Sequence, residues 1–265
     1  MTYVEFLSVV ACSGFLIFGS WSDLKTREVS NWVWVVSLPV AAILTITRVF
    51  LTPDLLMLCA ASVLASTALS FGMFEIGFFG GADAKALITL GVALPLFPAF
   101  SRPILGLFHP FFPLVVFVNS FLLSLVSIMY VLGRNAYWRI QSRRSFFEGF
   151  EHESPLRKIL TLVSGYKVAL IEIRRSIHLI PIEDVAEKNG RPSRRLRVFV
   201  GAEEDRNVTI DRLSRYISTG LLPSQVWATP GLPMMVFITI AFFAALTFGD
   251  ILFYAIHTMI GTIIR

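Results

Sequence analysis

The sequence predicts an all-α polytopic membrane protein, with six transmembrane helices and a small α+β soluble insertion between helices five and six. Three observations lead there. Of 265 residues, 55% are hydrophobic and 15% charged, with a mean hydropathy of +0.71. Ordinary soluble domains carry about 25% charged residues, and a soluble core of this size could not hide so much apolar surface. The charges separate apolar stretches of about 20 residues, the length that crosses a hydrocarbon core of roughly 30 Å. One segment, residues 134–227, breaks the pattern: it holds 17 of the 23 Lys and Arg and 11 of the 18 Asp and Glu, a net charge of +6.

The first span is Phe6–Ser22. No basic segment precedes it, Glu5 stands at its start, and it ends in Trp21-Ser22-Asp23 rather than in small residues, so it reads as a retained span and not a cleavable signal. Val29–Thr47 is second, with Trp32 and Trp34 near its start, where aromatic side chains favour the membrane interface. Leu55–Phe74 is third, bracketed by Asp54 and Glu75. The fourth runs from about Ala84 to Phe100, and Pro95 and Pro98 remove backbone donors near its end. The fifth is about Phe111–Leu132. The sixth starts near Pro230 and reaches about Gly249. The apolar tail Ile251–Ile264 would extend it to about 50 Å as one straight helix, so the end is expected to bend into the interface. Cys12 and Cys59 lie in apolar stretches with no CxxC spacing and read as packing residues, not as zinc ligands or a disulfide. Asn119, inside the fifth span, reads as an interhelical hydrogen-bonder.

The chain thus divides into residues 1–133 (spans one to five), 134–227 (the basic insertion) and 228–265 (span six and the tail). Within the insertion, Lys167–Arg174, His178–Asp184 and Arg195–Val200 alternate apolar and polar residues as strands do. Asn207–Ser218 has a helical pattern, and Asn189-Gly190 and Arg191-Pro192 are turn signals. No internal repeat is visible. A basic excess tethered to a membrane points to anionic lipid headgroups and not to nucleic acid. Lys25, Arg27, Lys85 and the insertion's basic residues fall on the odd loops, against Arg48, Arg102 and Arg265 on the other face. The positive-inside rule then places the odd loops and insertion in the cytoplasm and both termini outside.

Ionisable groups beside spans are costly and invite functional readings. Asp23 ends span one in Asp23-Leu24-Lys25-Thr26-Arg27-Glu28-Val29-Ser30-Asn31. Asp83 opens span four in Gly80-Gly81-Ala82-Asp83-Ala84-Lys85. Taken singly, Asp23 reads as a helix-end residue and Asp83 as a helix N-cap. Taken together they lie on one membrane face, and packing of spans one and four would let the carboxylates meet although they are 60 positions apart. Two such carboxylates share a proton. The ionised one can then accept a proton from water while the other polarises a peptide carbonyl. Gly80 and Gly81 leave room for a substrate backbone or a neighbouring helix. Glu75, Asp250 and His257 read as residues at span ends and the outer face.

The joint pattern resembles the GxGD membrane aspartic proteases. The first aspartate is followed by Arg27, Val29 and Asn31, and Gly80-Gly81-Ala82-Asp83-Ala84-Lys85 precedes span four. More narrowly it is similar to archaeal type IV prepilin and preflagellin peptidases, including Trp227-Ala228-Thr229-Pro230-Gly231-Leu232-Pro233 before span six and Phe248-Gly249-Asp250 after it. Ala82 stands where the stricter motif has its second glycine. The resemblance implies catalytic Asp23 and Asp83, support from Gly80, Gly81, Lys85, Arg27 and Asn31, and a substrate groove near Pro230, Gly231 and Pro233. It implies cleavage of leader peptides from prepilin-like or preflagellin precursors at the cytoplasmic membrane edge, with no metal or organic cofactor. The cytoplasmic cysteine pairs of the bacterial members, which also carry N-methyltransferase activity, are missing, so peptidase activity alone is expected. Two rival readings are a proton-coupled transporter, which would place its acidic residues near span centres, and a noncatalytic pilus or archaellum assembly scaffold, which would leave the aspartate pair idle.

Overall fold

The chain, described from a computed structural model over residues 2–106, 108–188, 191–197, 206–231 and 233–263, begins with one unbroken helix, α1 (Thr2–Thr26). It stops where Arg27 turns left-handed, φ 60°, with its N–H still bonded to the Asp23 carbonyl at 2.9 Å. Ser30 then caps α2 (Asn31–Leu51), its hydroxyl accepting from the Trp32 N–H. A single tight turn at Pro53–Leu55 leads into α3 (Leu56–Glu75). That helix ends in a Schellman turn: Phe78 N–H reaches the Met73 carbonyl at 2.9 Å and Gly77 N–H the Phe74 carbonyl at 3.0 Å. The turn requires a left-handed residue, which Gly77 supplies at φ 77°. Five residues after α3 the chain re-enters a helix, α4 (Gly81–Ala93).

At 1.5 Å per residue α4 is only about 20 Å long. The sequence expectation of a helix to Phe100 is therefore corrected: Leu94 leaves helical geometry and Pro95 offers no N–H to continue. The chain beyond is tied down by specific bonds. Ser62 Oγ donates to the Pro95 carbonyl at 2.5 Å, Leu96 bridges Phe111, and Ala99 N–H donates to Glu5 Oε2 at 3.0 Å. Next come α5 (Phe112–Ser142) and, at the end of the chain, α9 (Met234–Thr247) and α10 (Ile251–Ile263). Among the described residues four helices, α1, α2, α3 and α5, are long and apolar enough to cross a membrane, or five spans if the α9–α10 pair, bent by 58°, counts as one. The count of six is not reached by helix length.

Residues 1–124 and 233–265 form one unit and 125–232 a second, with α5 running through the boundary. The first unit is packed around Leu16, Leu87, Leu90, Phe112, Met235 and Phe242. Small residues let its helices close up. A Cβ at Gly19 would sit 2.5 Å from Met235 Cε, and one at Gly91 would sit 2.2 Å from Ser66 Oγ. Val36, Ile43, Leu64 and Phe71 are exposed, an apolar outer surface suited to lipid. Asn119 joins α5 to the α9–α10 break, donating to the Gly249 carbonyl at 2.9 Å and accepting from Ile251 N–H.

The second unit contains α6 (Pro155–Ser164), β1 (Tyr166–Ala169), α7 (Leu170–Arg175), β2 (Leu179–Pro181), β3 (Glu183–Lys188), β4 (Arg191–Leu196), α8 (Arg206–Ser218) and β5 (Gln225–Pro230). One antiparallel sheet has the order β1-β5-β2, and β3 and β4 form a hairpin. Buried Glu183 fastens the middle strand, accepting from the Trp227 N–H at 3.1 Å and from Arg194 Nε at 2.7 Å. Several expectations change here. The strand read over Lys167–Arg174 turns helical at Leu170, and Ile182 divides His178–Asp184 between β2 and β3. Arg191-Pro192 is strand, Pro192 lying opposite Glu187 where β4 has no further neighbour and its missing N–H costs nothing. Pro230 does not start a helix but ends β5 opposite Leu179. Asn189-Gly190 and the end of Arg195–Val200 lie outside the described residues.

Candidate active site

Asp23 sits in the last turn of α1 and Asp83 in the first turn of α4, and these helices pack against each other and against α9. Both aspartates are half-buried, and Asp23 and Arg27 lie close enough for their charges to act on Asp83. The two helix ends are electrostatically opposite. A helix N-terminus favours negative charge, and Asp83 uses it directly, its Oδ2 accepting from the Gly80 N–H at 3.0 Å. A helix C-terminus disfavours negative charge, and Asp23 there has Lys25 and Arg27 just beyond it.

Local structure fixes this corner. Ser22 Oγ donates to the Glu28 carbonyl at 2.8 Å and Thr26 Oγ1 to the same carbonyl at 3.0 Å, folding the loop after α1 back on the helix. A left-handed backbone costs a side-chain-bearing residue roughly 1 kcal/mol, and Arg27 adopts one next to the aspartates. A Cβ on Gly80 would meet Asp83 Oδ2 at 3.2 Å, closer than ordinary contact, so the glycine gives the carboxylate its space. Ala82 turns toward the packed interior. Lys85 bonds away from the pair, its Nζ donating to Asn31 Oδ1 at 2.7 Å and so joining the starts of α2 and α4.

The α9 end of the site was not legible in the sequence. The backbone N–H of Met235, in the first turn of α9, faces the Asp83 carboxylate. Ser20, one turn before Asp23, donates to the Met235 carbonyl at 2.8 Å and lies 2.6 Å from Thr239 Oγ1, which also donates to the Leu16 carbonyl. A backbone amide carries no side-chain signal; the readable hint was Pro233, which precedes α9 as its N-cap. Pro230 and Gly231 belong to the second unit, where Gly231 N–H donates to the His178 carbonyl at 2.7 Å. Glu75 is exposed at the end of α3 and His257 is exposed on α10. Asp250 is buried and caps α10 through the Phe253 N–H at 2.9 Å. Among the described residues no group of three or more His, Cys, Asp or Glu is placed to hold a metal ion.

Long apolar helices packed around an acidic corner define a polytopic membrane protein. Comparison with known families defines which kind: residues 10–129 match the type IV leader peptidase family and residues 157–251 the archaeal peptidase A24 C-terminus of type II. Taken together, the two matches make most of the chain similar to leader peptidases of this type. It is 24% identical over 242 residues to a preflagellin peptidase of Methanococcus voltae, covering 89% of this chain and 92% of that protein. To a preflagellin peptidase of Methanocaldococcus jannaschii it is 25% identical over 252 residues, covering 91% and 93%.

Proposed function

We propose that this chain is a membrane-embedded aspartic endopeptidase that removes leader peptides from preflagellin-like or prepilin-like precursors, with Asp23 and Asp83 as the catalytic pair. The observation that carries the reading is that Asp23 and Asp83 stand at the ends of two packed helices, near enough for their charges to interact. The family and the named relatives favour leader-peptide cleavage as the reaction. In the pair, one carboxylate accepts a proton from water as the resulting hydroxide attacks the scissile carbonyl, and the protonated partner donates to the carbonyl oxygen. Collapse of the tetrahedral diol then delivers a proton to the leaving nitrogen. The N–H groups of Gly80 and Met235 face the Asp83 carboxylate, and the one proton that the two carboxylates share lets one act as base while the other acts as acid. Pro233, the N-cap of α9, borders the substrate path, and the chain cleaves without transferring a methyl group.

The reading includes a sixth crossing. Asp83 lies by Asp23, whereas Ala99 bonds Glu5, which is 18 residues earlier on α1, or about 27 Å along the helix. The chain from Asp83 to Ala99 thus runs the length of α1, as helix and then as irregular backbone. Such backbone is tolerated at membrane depth where protein satisfies it, as Ser62, Phe111 and Glu5 do here.

Co-expression with a preflagellin precursor tests the chemistry. The parent should produce a smaller, leaderless product, and Asp23→Asn and Asp83→Asn should each abolish it at matched protein levels. The double variant should be no worse than either, since the pair acts as a unit. Parent activity should fall at both pH extremes, because one carboxyl must be protonated and the other ionised. Substantial cleavage by either single variant would overturn the two-aspartate mechanism.

A further inference from the structure

The second unit holds a recess of about 530 Å³ lined by Trp138, Ser142, Arg144, Lys167, Arg194 and Gln225, among others. Its floor is an unusual lysine. Lys167 lies half-buried on β1, with its Nζ 4.4 Å from the Trp138 ring centroid and 5.7 Å from that of Trp227. Among the described residues its ammonium meets aromatic faces but no hydrogen-bond acceptor. Arg194 stands beside it, fixed by Glu183 through Nε and by the Glu148 carbonyl through Nη1, with buried Nη2 left without a partner among the described residues. Arg144, exposed at the rim, adds a third positive charge that Lys167 feels.

Like charges gathered this way repel, and Arg194 Nη2 is a buried donor with no acceptor among the described residues. The cluster is unlike the neighbouring basic pocket around Arg195 and Arg212. There Arg195, Arg197 and Arg212 share the buried carboxylate of Asp184 as an acceptor, whereas Lys167 has none among the described residues. Around Lys167 the nearby acids are Glu183, engaged by Arg194 and Trp227, and exposed Glu148.

We propose that this recess is a binding site for a phosphate-class oxyanion, held by Lys167 and Arg144 with Trp138 as its apolar wall. The recess exceeds what a bare oxyanion needs and has room for a phosphate with its glycerol or sugar. Two sources share that chemistry: the headgroup of an anionic phospholipid and a soluble phosphate. Trp138 lies six residues beyond Leu132, where the apolar run of α5 ends. That is about 9 Å along the helix, at the outer edge of a headgroup layer roughly 5–8 Å deep.

Burial and the adjacent arginines lower the Lys167 pKa to about 8. The groups facing it are Arg144, Arg194, Glu148 and Glu183. Lys167 itself therefore changes charge between pH 7 and pH 9. An anion requires the ammonium form, so binding weakens as pH rises through about 8. For a ligand of constant charge the loss from pH 7 to pH 9 approaches roughly tenfold.

The test uses the full chain purified in a zwitterionic detergent and does not depend on cleavage, so it stands or falls apart from the protease reading. Sulfate, whose charge is constant over this range, and inorganic phosphate are titrated while tryptophan fluorescence and the unfolding temperature are followed. Nanodiscs of phosphatidylcholine with and without phosphatidylglycerol form the lipid arm. Saturable binding in the first arm, weakened about tenfold at pH 9 for sulfate and at least tenfold for either anion by Lys167→Met or Arg144→Gln, supports the site. A gain in unfolding temperature confined to phosphatidylglycerol and lost in the same variants supports it and assigns the lipid source. No saturable response in either arm, or equal responses from parent and both variants, would overturn it.

Discussion

Gly80 shows how much of the site depends on a single missing atom. Its φ of −72° suits any residue, so alanine there would not strain the backbone. The added methyl would instead press on Asp83 Oδ2 at 3.2 Å. Gly80→Ala should therefore lower the cleavage rate in proteoliposomes by about 10- to 100-fold, since misplacement near 1 Å can cost that much. Its unfolding free energy should stay within about 1 kcal/mol of the parent. Gly77→Ala is the contrast. Its φ of 77° is needed for the Schellman turn, so this substitution should cost about 1–2 kcal/mol of stability, read as a lower unfolding temperature in detergent. The carboxylates and glycines were legible because such residues stand out beside apolar spans. Arg27's left-handed backbone and the Met235 amide were not, since arginine is no marker for that conformation and an N–H in a Met-Met run looks like any other. Lys85 and Asn31, 54 positions apart, had to be folded before they could be seen as partners.

At the level of elements, length and hydropathy suffice wherever a helix is apolar from end to end, as in α1, α2 and α3. They fail where polarity and helix part company. α5 continues through Arg134, Asn135 and Arg139 to Ser142 because its last turns pack on the second unit's own residues, with Asn135 donating to the carbonyls of Leu162 and Gly165. Leu170–Arg175 alternates like a strand, yet Ile173 is buried in a helix beside Leu213. Glu5 and Arg48, read from sequence as a span-start acid and an outer-face base, form a buried ion pair at 2.8 Å that locks the start of α1 to the end of α2. Among the described residues Arg48 Nε and Nη1 have no acceptor, so the pair is incompletely satisfied. Removing one partner should then do more harm than removing both. Glu5→Ala is expected to destabilise by about 3–5 kcal/mol, and adding Arg48→Met should recover most of that loss. Thermal unfolding of the two variants in one detergent decides it, and equal losses would mean that the Ala99 N–H contact of Glu5 is what matters.

For the molecule as a whole, the decisive question is whether the chain between α3 and α5 crosses the membrane, because α4 is too short to do so as a helix. If it crosses, Glu75 and Arg102 lie on opposite sides, and Lys25 shares a side with Glu75. If it only dips in and returns, Glu75 and Arg102 lie on the same side and the aspartates sit in a re-entrant fold. Single cysteines distinguish these arrangements. Cys12 and Cys59 are buried and can be replaced by alanine to give a silent background. In right-side-out vesicles a membrane-impermeant maleimide should label Asp54→Cys and Arg102→Cys and spare Lys25→Cys and Glu75→Cys. Inverted vesicles should give the reverse. The basic residues of the odd loops predict that orientation, and the bond from Ala99 to Glu5, near the start of α1, is what supports the proposed crossing. A maleimide that reaches Glu75→Cys and Arg102→Cys from one side would remove the sixth crossing, and with it the cytoplasmic placement of Asp83 on which cleavage at that membrane edge depends.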